Sequence, residues 1–335
     1  MYAPSLRLHR GFTTTMFAVV AASMAFGACA NLDPEEEARR AMEKMKDRIG
    51  AFDFDLRMDL SALGQEGVTV NIKGVSRSQA VLSGTGVISV AETDGSQSVA
   101  YSGYRSDTRE YYSINLDPSQ TALGYMSGRF AKPGVLKMSD PAGGITLEAV
   151  SGEGGNSRTT IRIPPDQAVL MEIDADRTAD SGGDVLDSLL NAPIEPARVN
   201  RSSDSPNPAE NYARSHEFLR QFAGDFTDST GKIIRSRMVG DGRYVITHSH
   251  GPEEAISFMA WNNAGRYFQQ ITILPDLPMP IYLQGEMLPD GTVSMSDPFN
   301  PQGLKVMIKV ADDGGYTTVT SMGPRELERR TWSRK

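Results

Sequence analysis

The sequence predicts an all-β protein made of two tandem antiparallel β-barrels, each preceded by a short α-helix. Three observations predict it: the chain repeats itself, each copy opens with a helix-start signal, and the residues that follow alternate apolar and polar with a period of two. Aligned without gaps at an offset of 157, residues 104–141 match residues 261–298 at ten of 38 positions. The pairs include Arg109/Arg266, Ile114/Ile271, Tyr125/Tyr282, Gly128/Gly285 and the intact run Met-Ser-Asp-Pro at 138–141 and 295–298. Tyr104/Trp261 and Tyr111/Phe268 are conservative pairs. An earlier block aligns at an offset of 174, with Asp33-Pro34-Glu35-Glu36 facing Asn207-Pro208-Ala209-Glu210, then Arg40/Arg214, Gly50/Gly224 and Phe52/Phe226. Two blocks in the same order mark a tandem duplication. Copy one carries 17 extra residues between Phe52 and Tyr104.

Each copy begins with helix chemistry. Asp33 or Asn207 can cap free backbone N–H groups, Pro34 or Pro208 suits the first helical position, and Glu36 or Glu210 sits where a capping box wants an acid. Ala38, Ala41, Met42, Met45 and Ile49 recur at helical spacing, as do Leu219 and Phe222 in copy two. Strands follow. Phe52, Phe54, Leu56, Met58 and Leu60 alternate with Asp53, Asp55, Arg57 and Asp59, and Val68, Val70 and Ile72 continue the pattern. Thr93-Asp94-Gly95, Gly240-Asp241-Gly242 and Asp312-Asp313-Gly314-Gly315 supply turns between later runs. Short strands at near-regular spacing indicate an antiparallel sheet that closes, which removes exposed edges. The expected divisions are residues 31–173 for the first barrel, 174–206 for a linker rich in Asp, Ser, Gly, Asn and Pro, and 207–335 for the second.

Residues 1–28 read as a signal peptide. Arg7, His9 and Arg10 form a cationic start, an apolar stretch runs from Met16 to Phe26, and small residues close the segment. The apolar stretch is shorter than the roughly 20 residues that span a bilayer. Phe26-Gly27-Ala28-Cys29 resembles a bacterial lipoprotein box, which implies lipidation of Cys29 and a membrane anchor at the cell envelope. The alternative is ordinary cleavage after Ala28-Cys29-Ala30 and a soluble secreted protein. Both take the chain out of the cytoplasm, and lipidation would remove a lone thiol from an oxidising compartment.

Composition narrows the function. The 335 residues carry 34 basic and 42 acidic side chains, a net charge of −8, which argues against a nucleic-acid groove. A single cysteine excludes an intramolecular disulfide, a Cys-x-x-Cys redox site and a thiolate zinc cage. No Gly-x-Ser-x-Gly or His-Glu-x-x-His pattern occurs, and the glycines at 152–155 lack a strand–loop–helix setting for phosphate. The reading is therefore of a protein that is not an enzyme, with no cofactor expected.

Ser215-His216-Glu217-Phe218-Leu219 through Gly224-Asp225-Phe226 is similar to the opening of bacterial lipocalin-like (calycin) domains of unknown function. Gly242-Arg243-Tyr244-Val245 resembles their turn and strand, Gly103-Tyr104, Thr108 and Tyr111 their hairpin, and the closing Arg330-Thr331-Trp332-Ser333-Arg334-Lys335 their last strand. The resemblance implies a barrel whose structural signature here is Gly50, Phe52, Gly224, Phe226 and Arg330. It also implies an arginine, Arg330, packed over Phe226. Both copies have Phe where the family has Trp.

Local candidates for chemistry are few. His248 and His250 share a strand face and could hold a metal or haem, with Glu253 and Glu254 nearby, although copy one has no counterpart. Solvent-facing histidines at a strand end are the plainer reading. Arg109 and Arg266 with Tyr104 and Trp261 are candidate ligand contacts, weighed against a loop-fixing role. His216 stands where copy one has Met42, and the repeated Ser-Asp-Pro suits a turn. The expected function is binding of a small hydrophobic or amphipathic molecule at the envelope. The rival is an interaction lipoprotein with filled barrels, its protein partners undefined, and a metal or haem barrel comes third.

Overall fold

The computed structural model describes residues 33–93, 96–117, 122–164, 166–193, 215–251 and 253–335. The proposed signal peptide, Cys29, the Asn207 cap and residues 194–206 of the linker lie outside these.

Two closed ten-stranded antiparallel barrels stand in tandem, each wound in simple sequence order. The first comprises β1 (Gly50–Asp59), β2 (Thr69–Val81), β3 (Gly86–Thr93), β4 (Ser96–Arg105), β5 (Glu110–Leu116), β6 (Gly124–Lys132), β7 (Val135–Ser139), β8 (Thr146–Ser151), β9 (Ser157–Ile163) and β10 (Ala168–Ala179). The second comprises β11 (Gly224–Asp228), β12 (Ile233–Val239), β13 (Tyr244–Ser249), β14 (Ala255–Asn262), β15 (Tyr267–Ile273), β16 (Ile281–Met287), β17 (Val293–Ser296), β18 (Leu304–Val310), β19 (Tyr316–Met322) and β20 (Arg325–Arg334). β10 runs on into the segment expected as linker. Its Asp174 is opposite Arg158 on β9 and ion-paired with it, so polar residues there pair across the sheet. Ser78 on β2 faces Gly50 as Ser236 on β12 faces Gly224, so most of the extra length of copy one lies in the β1–β2 hairpin.

A helix plugs one end of each barrel. Pro34–Met42 is capped by the Asp33 carboxylate, which accepts from the Glu35 N–H, and a 3-10 turn, Glu43–Arg48, continues it. Met42 and Met45 pack on Val87, Tyr111, Leu136 and Met138, and the Tyr111 hydroxyl donates to the Ala41 carbonyl at 2.8 Å. In copy two, residues 215–220 are helical, and Phe218, Leu219 and Phe222 pack on Phe226, Phe268 and Tyr316.

An arginine of the last strand locks each plug. Arg334 lies 5.0 Å from the Phe226 ring centroid and donates to the carbonyls of Ala223 and Gln221. Arg177, which stands 157 positions earlier, lies 5.6 Å from the Phe52 centroid and donates to the carbonyls of Ile49 and Lys46. Each guanidinium thus covers an aromatic face and satisfies carbonyls at the end of the plugging segment. The residue expected over Phe226, Arg330, instead pairs with Asp228 and Glu328. The pairing of β11 with β20 explains this: Arg334 stands opposite Phe226, whereas Arg330 is four residues back along the strand.

The barrels are fused side by side through a buried apolar face. Ile88, Val99, Tyr101, Ile114 and Leu116 of the first form one cluster with Ile246, Ile256, Phe258, Ile271 and Ile273 of the second. The linker helix Val185–Leu190 closes its edge with Val185, Leu186, Leu189 and Leu190. Tyr101 and Phe258 are 157 positions apart, and their rings meet at 6.0 Å. Equivalent residues in contact mark a pseudo-two-fold axis between the copies, the geometry of an isologous interface. The barrels consequently run antiparallel. Ser106, at the plugged end of the first, donates to Pro278 at the open end of the second. Tyr244, at the plugged end of the second, donates to Asp117 at the open end of the first.

Candidate functional site

The two lumens differ in chemistry. Strand register places Leu56, Met58, Val70, Ile72, Met171 and Ile173 on the inner face of the first barrel toward its open end, where all are half-buried. Ser98, Ser113 and Asn115 face them from β4 and β5, and none of these nine inner residues is ionisable. In the second barrel the same half carries Thr247, Ser249, Ser257, Gln270, Thr272, Thr318, Thr320, Glu328 and Arg330 inward.

That polar half lines a cavity of about 240 Å³ reached from the open end of the second barrel. Ile234, Ile281, Leu283, Leu304 and Val306 form an apolar wall, with Leu274 and Leu277 of the β15–β16 loop at the lip. Tyr316 and Trp332 also line it, stacked at 6.1 Å, and Phe226 meets Tyr316 edge-on at 5.1 Å. Burial pushes the Tyr316 phenol far above its ordinary range, so this aromatic end of the cavity is neutral.

The polar wall is a hydrogen-bonded network. Ser236 bonds Thr247 at 2.9 Å and Ser257 bonds Thr272 at 3.0 Å. The Gln270 amide donates to the Ser257 hydroxyl at 3.0 Å, while its own oxygen is buried without a partner. The wall's hydroxyls, each able to donate and accept, suit a hydroxyl or amine of a ligand. The four charged side chains that line it pair off, Arg330 2.6 Å from Glu328 and Lys232 3.1 Å from Glu253, and Arg330 also lies 3.7 Å from Asp228 behind the lining. Burial alone would raise the Asp228 carboxyl. Hydrogen bonds from Thr230 and from the Lys232 backbone, with the Arg330 charge, outweigh it and hold that carboxyl below its usual range. With its charges already paired, the cavity has no excess charge to offer an ionic ligand.

The other candidates stand elsewhere. Arg109 and Arg266 both occupy left-handed turns at φ 57°, exposed at the plugged ends. Arg109 approaches Glu37 of the plug at 4.0 Å, and the Tyr104 hydroxyl bonds the same carboxylate. Trp261 packs edge-on to Phe268 at 4.9 Å. None of these four residues lines the cavity. His216 bonds the Gly242 carbonyl. Asp140 and Asp297 fold their turns through bonds to the Ile145 and Phe299 N–H groups.

His248 points out of the barrel and is buried, its Nε2 3.0 Å from Glu254 and its ring 4.1 Å from that of His250. Burial lowers its affinity for a proton, the Glu254 hydrogen bond opposes this, and His250 adds to the lowering. Among the described residues no group of three or more His, Cys, Asp or Glu side chains is arranged to hold a metal. No described helix is long and apolar enough to cross a membrane. The cavity-lining residues missed by sequence reading are the inward Ser, Thr and Gln of β13–β15 and β19; their only signal was a hydroxyl at alternate positions, as in Thr318 and Thr320.

No protein-family model matches the chain, and no curated protein does. Among solved structures, one described as a candidate 6-phosphogluconolactonase from Bacteroides uniformis shares 10% identity over 84% of this chain and 99% of its own, with a TM-score of 0.18. A second so described, from Bacteroides fragilis, shares 7% identity over 84% of this chain and 98% of its own, with a TM-score of 0.14. Superposition at that level transfers neither fold nor activity.

Proposed function

We propose that the second barrel binds a small amphipathic molecule, uncharged or zwitterionic, without catalysis, in a protein exported to the cell envelope and held there through Cys29. The observation that carries this reading is the two-sided cavity, with hydroxyls on one wall and aliphatic side chains on the other. At about 240 Å³ it is smaller than the roughly 300–1,000 Å³ of drug-sized sites, which limits the ligand to a small molecule or the end of a longer one. Export rests on the charge–apolar–small order of residues 7–30, and the anchor on Phe26-Gly27-Ala28-Cys29.

Trp332 lines the cavity and reports occupancy through its fluorescence. Titration with a series of amphipathic alcohols and amides of increasing chain length is expected to saturate at the length that fills the apolar wall. Gln270→Met removes the amide that orients the Ser257 and Thr272 hydroxyls and should weaken the best of them about tenfold, the worth of one hydrogen bond. A flat response across the series would remove the reading.

A further inference from the structure

We propose that the open end of the second barrel is a docking face for a neutral lipid bilayer, presenting the cavity mouth to amphipathic molecules dissolved in that surface. The inference takes its purpose from the ligand reading of the same cavity, but its geometry stands apart from it. Three features meet at this end of the molecule.

The first is Phe299. It sits on the β17–β18 turn beside the mouth and is 89% exposed, more than any other large apolar side chain among the described residues. Its turn is built: the Asp297 carboxylate accepts from the Phe299 N–H at 2.8 Å, and the Asp297 carbonyl accepts from Asn300. Ile233, on the first turn of the same rim, is also exposed, and Leu277 and Met279 of the neighbouring loop are half-buried.

The second is the point where the preceding chain arrives. The antiparallel arrangement sets the plug of the first barrel against the mouth of the second. Ala38 lines a crevice with Leu274, Leu277 and Met279, and Asp33 and Glu35 are close enough to act on the charge of Asp276. Cys29 stands four residues before Asp33, a reach of at most about 14 Å. A chain held to a bilayer through Cys29 would hold this end, and with it the cavity, against the surface.

The third is charge. Asp33, Glu35, Asp276 and Glu253 gather near the mouth together with Lys232, Lys305 and Arg325, so the rim mixes both signs and the chain is acidic overall. Attraction to anionic headgroups requires a basic cluster, which a rim of mixed sign does not supply. A neutral or zwitterionic lipid surface is the partner this rim admits.

The opposite mouth is an internal control. Leu63, 59% exposed, lies on the β1–β2 loop at the open end of the first barrel, with Val68 and Ile145, each 42% exposed, on the same rim, but the chain preceding Asp33 does not arrive at that end. Full-length Phe299→Trp and Leu63→Trp proteins would be mixed with phosphatidylcholine vesicles whose acyl chains carry bromine, a contact quencher of indole fluorescence. Both variants share the same N-terminal segment and Cys29, so any tether is common to them. The emission added by Phe299→Trp should be lost on vesicle addition, and that added by Leu63→Trp retained. Quenching of the Leu63→Trp protein instead, equal quenching, or quenching of neither overturns the proposal. Quenching that appears only when phosphatidylglycerol is included overturns the neutral partner. Titrating the same proteins with the amphipath series, without vesicles, reads the cavity alone, so failure of docking and failure of ligand binding are separable.

Discussion

Arg177 and Arg334 do two jobs from one position, covering a phenylalanine ring and holding the last carbonyls of the plugging helix. Arg177→Met keeps the stem and removes the fork, and should destabilise the fold by about 1–3 kcal/mol, the scale of a charged hydrogen bond plus a cation–π contact. Lysine should not restore it, because an ammonium cannot bridge two carbonyls while lying flat on a ring; urea midpoints of the three proteins check this. His248 is the titrating residue with a global consequence. Its folded pKa lies below the unfolded value of about 6.5, so the unfolded chain binds the proton more readily. Stability contributed by the neutral imidazole is full above that unfolded value and is lost as pH falls through it. The melting temperature should therefore drop between pH 7.5 and 5, and His248→Gln should flatten the slope. The pair Arg177/Arg334 was legible as a repeat at the same offset as Arg109/Arg266. It lies beyond the ungapped block, which ends at residue 141.

At the scale of elements, the plug helices and the alternation of β1 were plain in the sequence. Asp33 caps as its side-chain chemistry demands, and Phe52 and Phe54 point inward while Asp53 and Asp55 are exposed. The faces of β3, β4 and β5 were not legible. Val87 and Ile88 are both buried, one in the lumen and one in the fused face, and a strand buried on both sides loses the period that reveals its inner face. The repeated glycines have an element-scale cause. A Cβ on Gly128 would fall 1.9 Å from the Lys137 carbonyl oxygen, and one on Gly285 2.0 Å from that of Ser294. Equivalent strands therefore approach too closely for any side chain at the same point of each barrel. Gly285→Ala should cost about 1–3 kcal/mol by overpacking, where an ordinary exposed strand glycine would gain from the same change. Thermal unfolding of the variant measures it.

The whole molecule is a duplicated barrel folded back on itself. Fusion through equivalent faces hides the edges of the apolar surface, and it turns the two mouths to opposite ends. The lumens differ: the first has an uncharged inner wall near its mouth, and the second has paired charges and a hydroxyl network around a small cavity. Duplication was readable from aligned residues, but the antiparallel packing was not, since it depends on outward side chains meeting their own counterparts, as Tyr101 meets Phe258. Nor was the cavity, because scattered serines and threonines converge only when the strands close. The central claim is that this cavity has an occupant. Native mass spectrometry of the gently purified full-length protein should show a chain carrying one small molecule, and Thr320→Phe, which fills the cavity, should show the chain without it. A bare chain in both preparations would contradict the account.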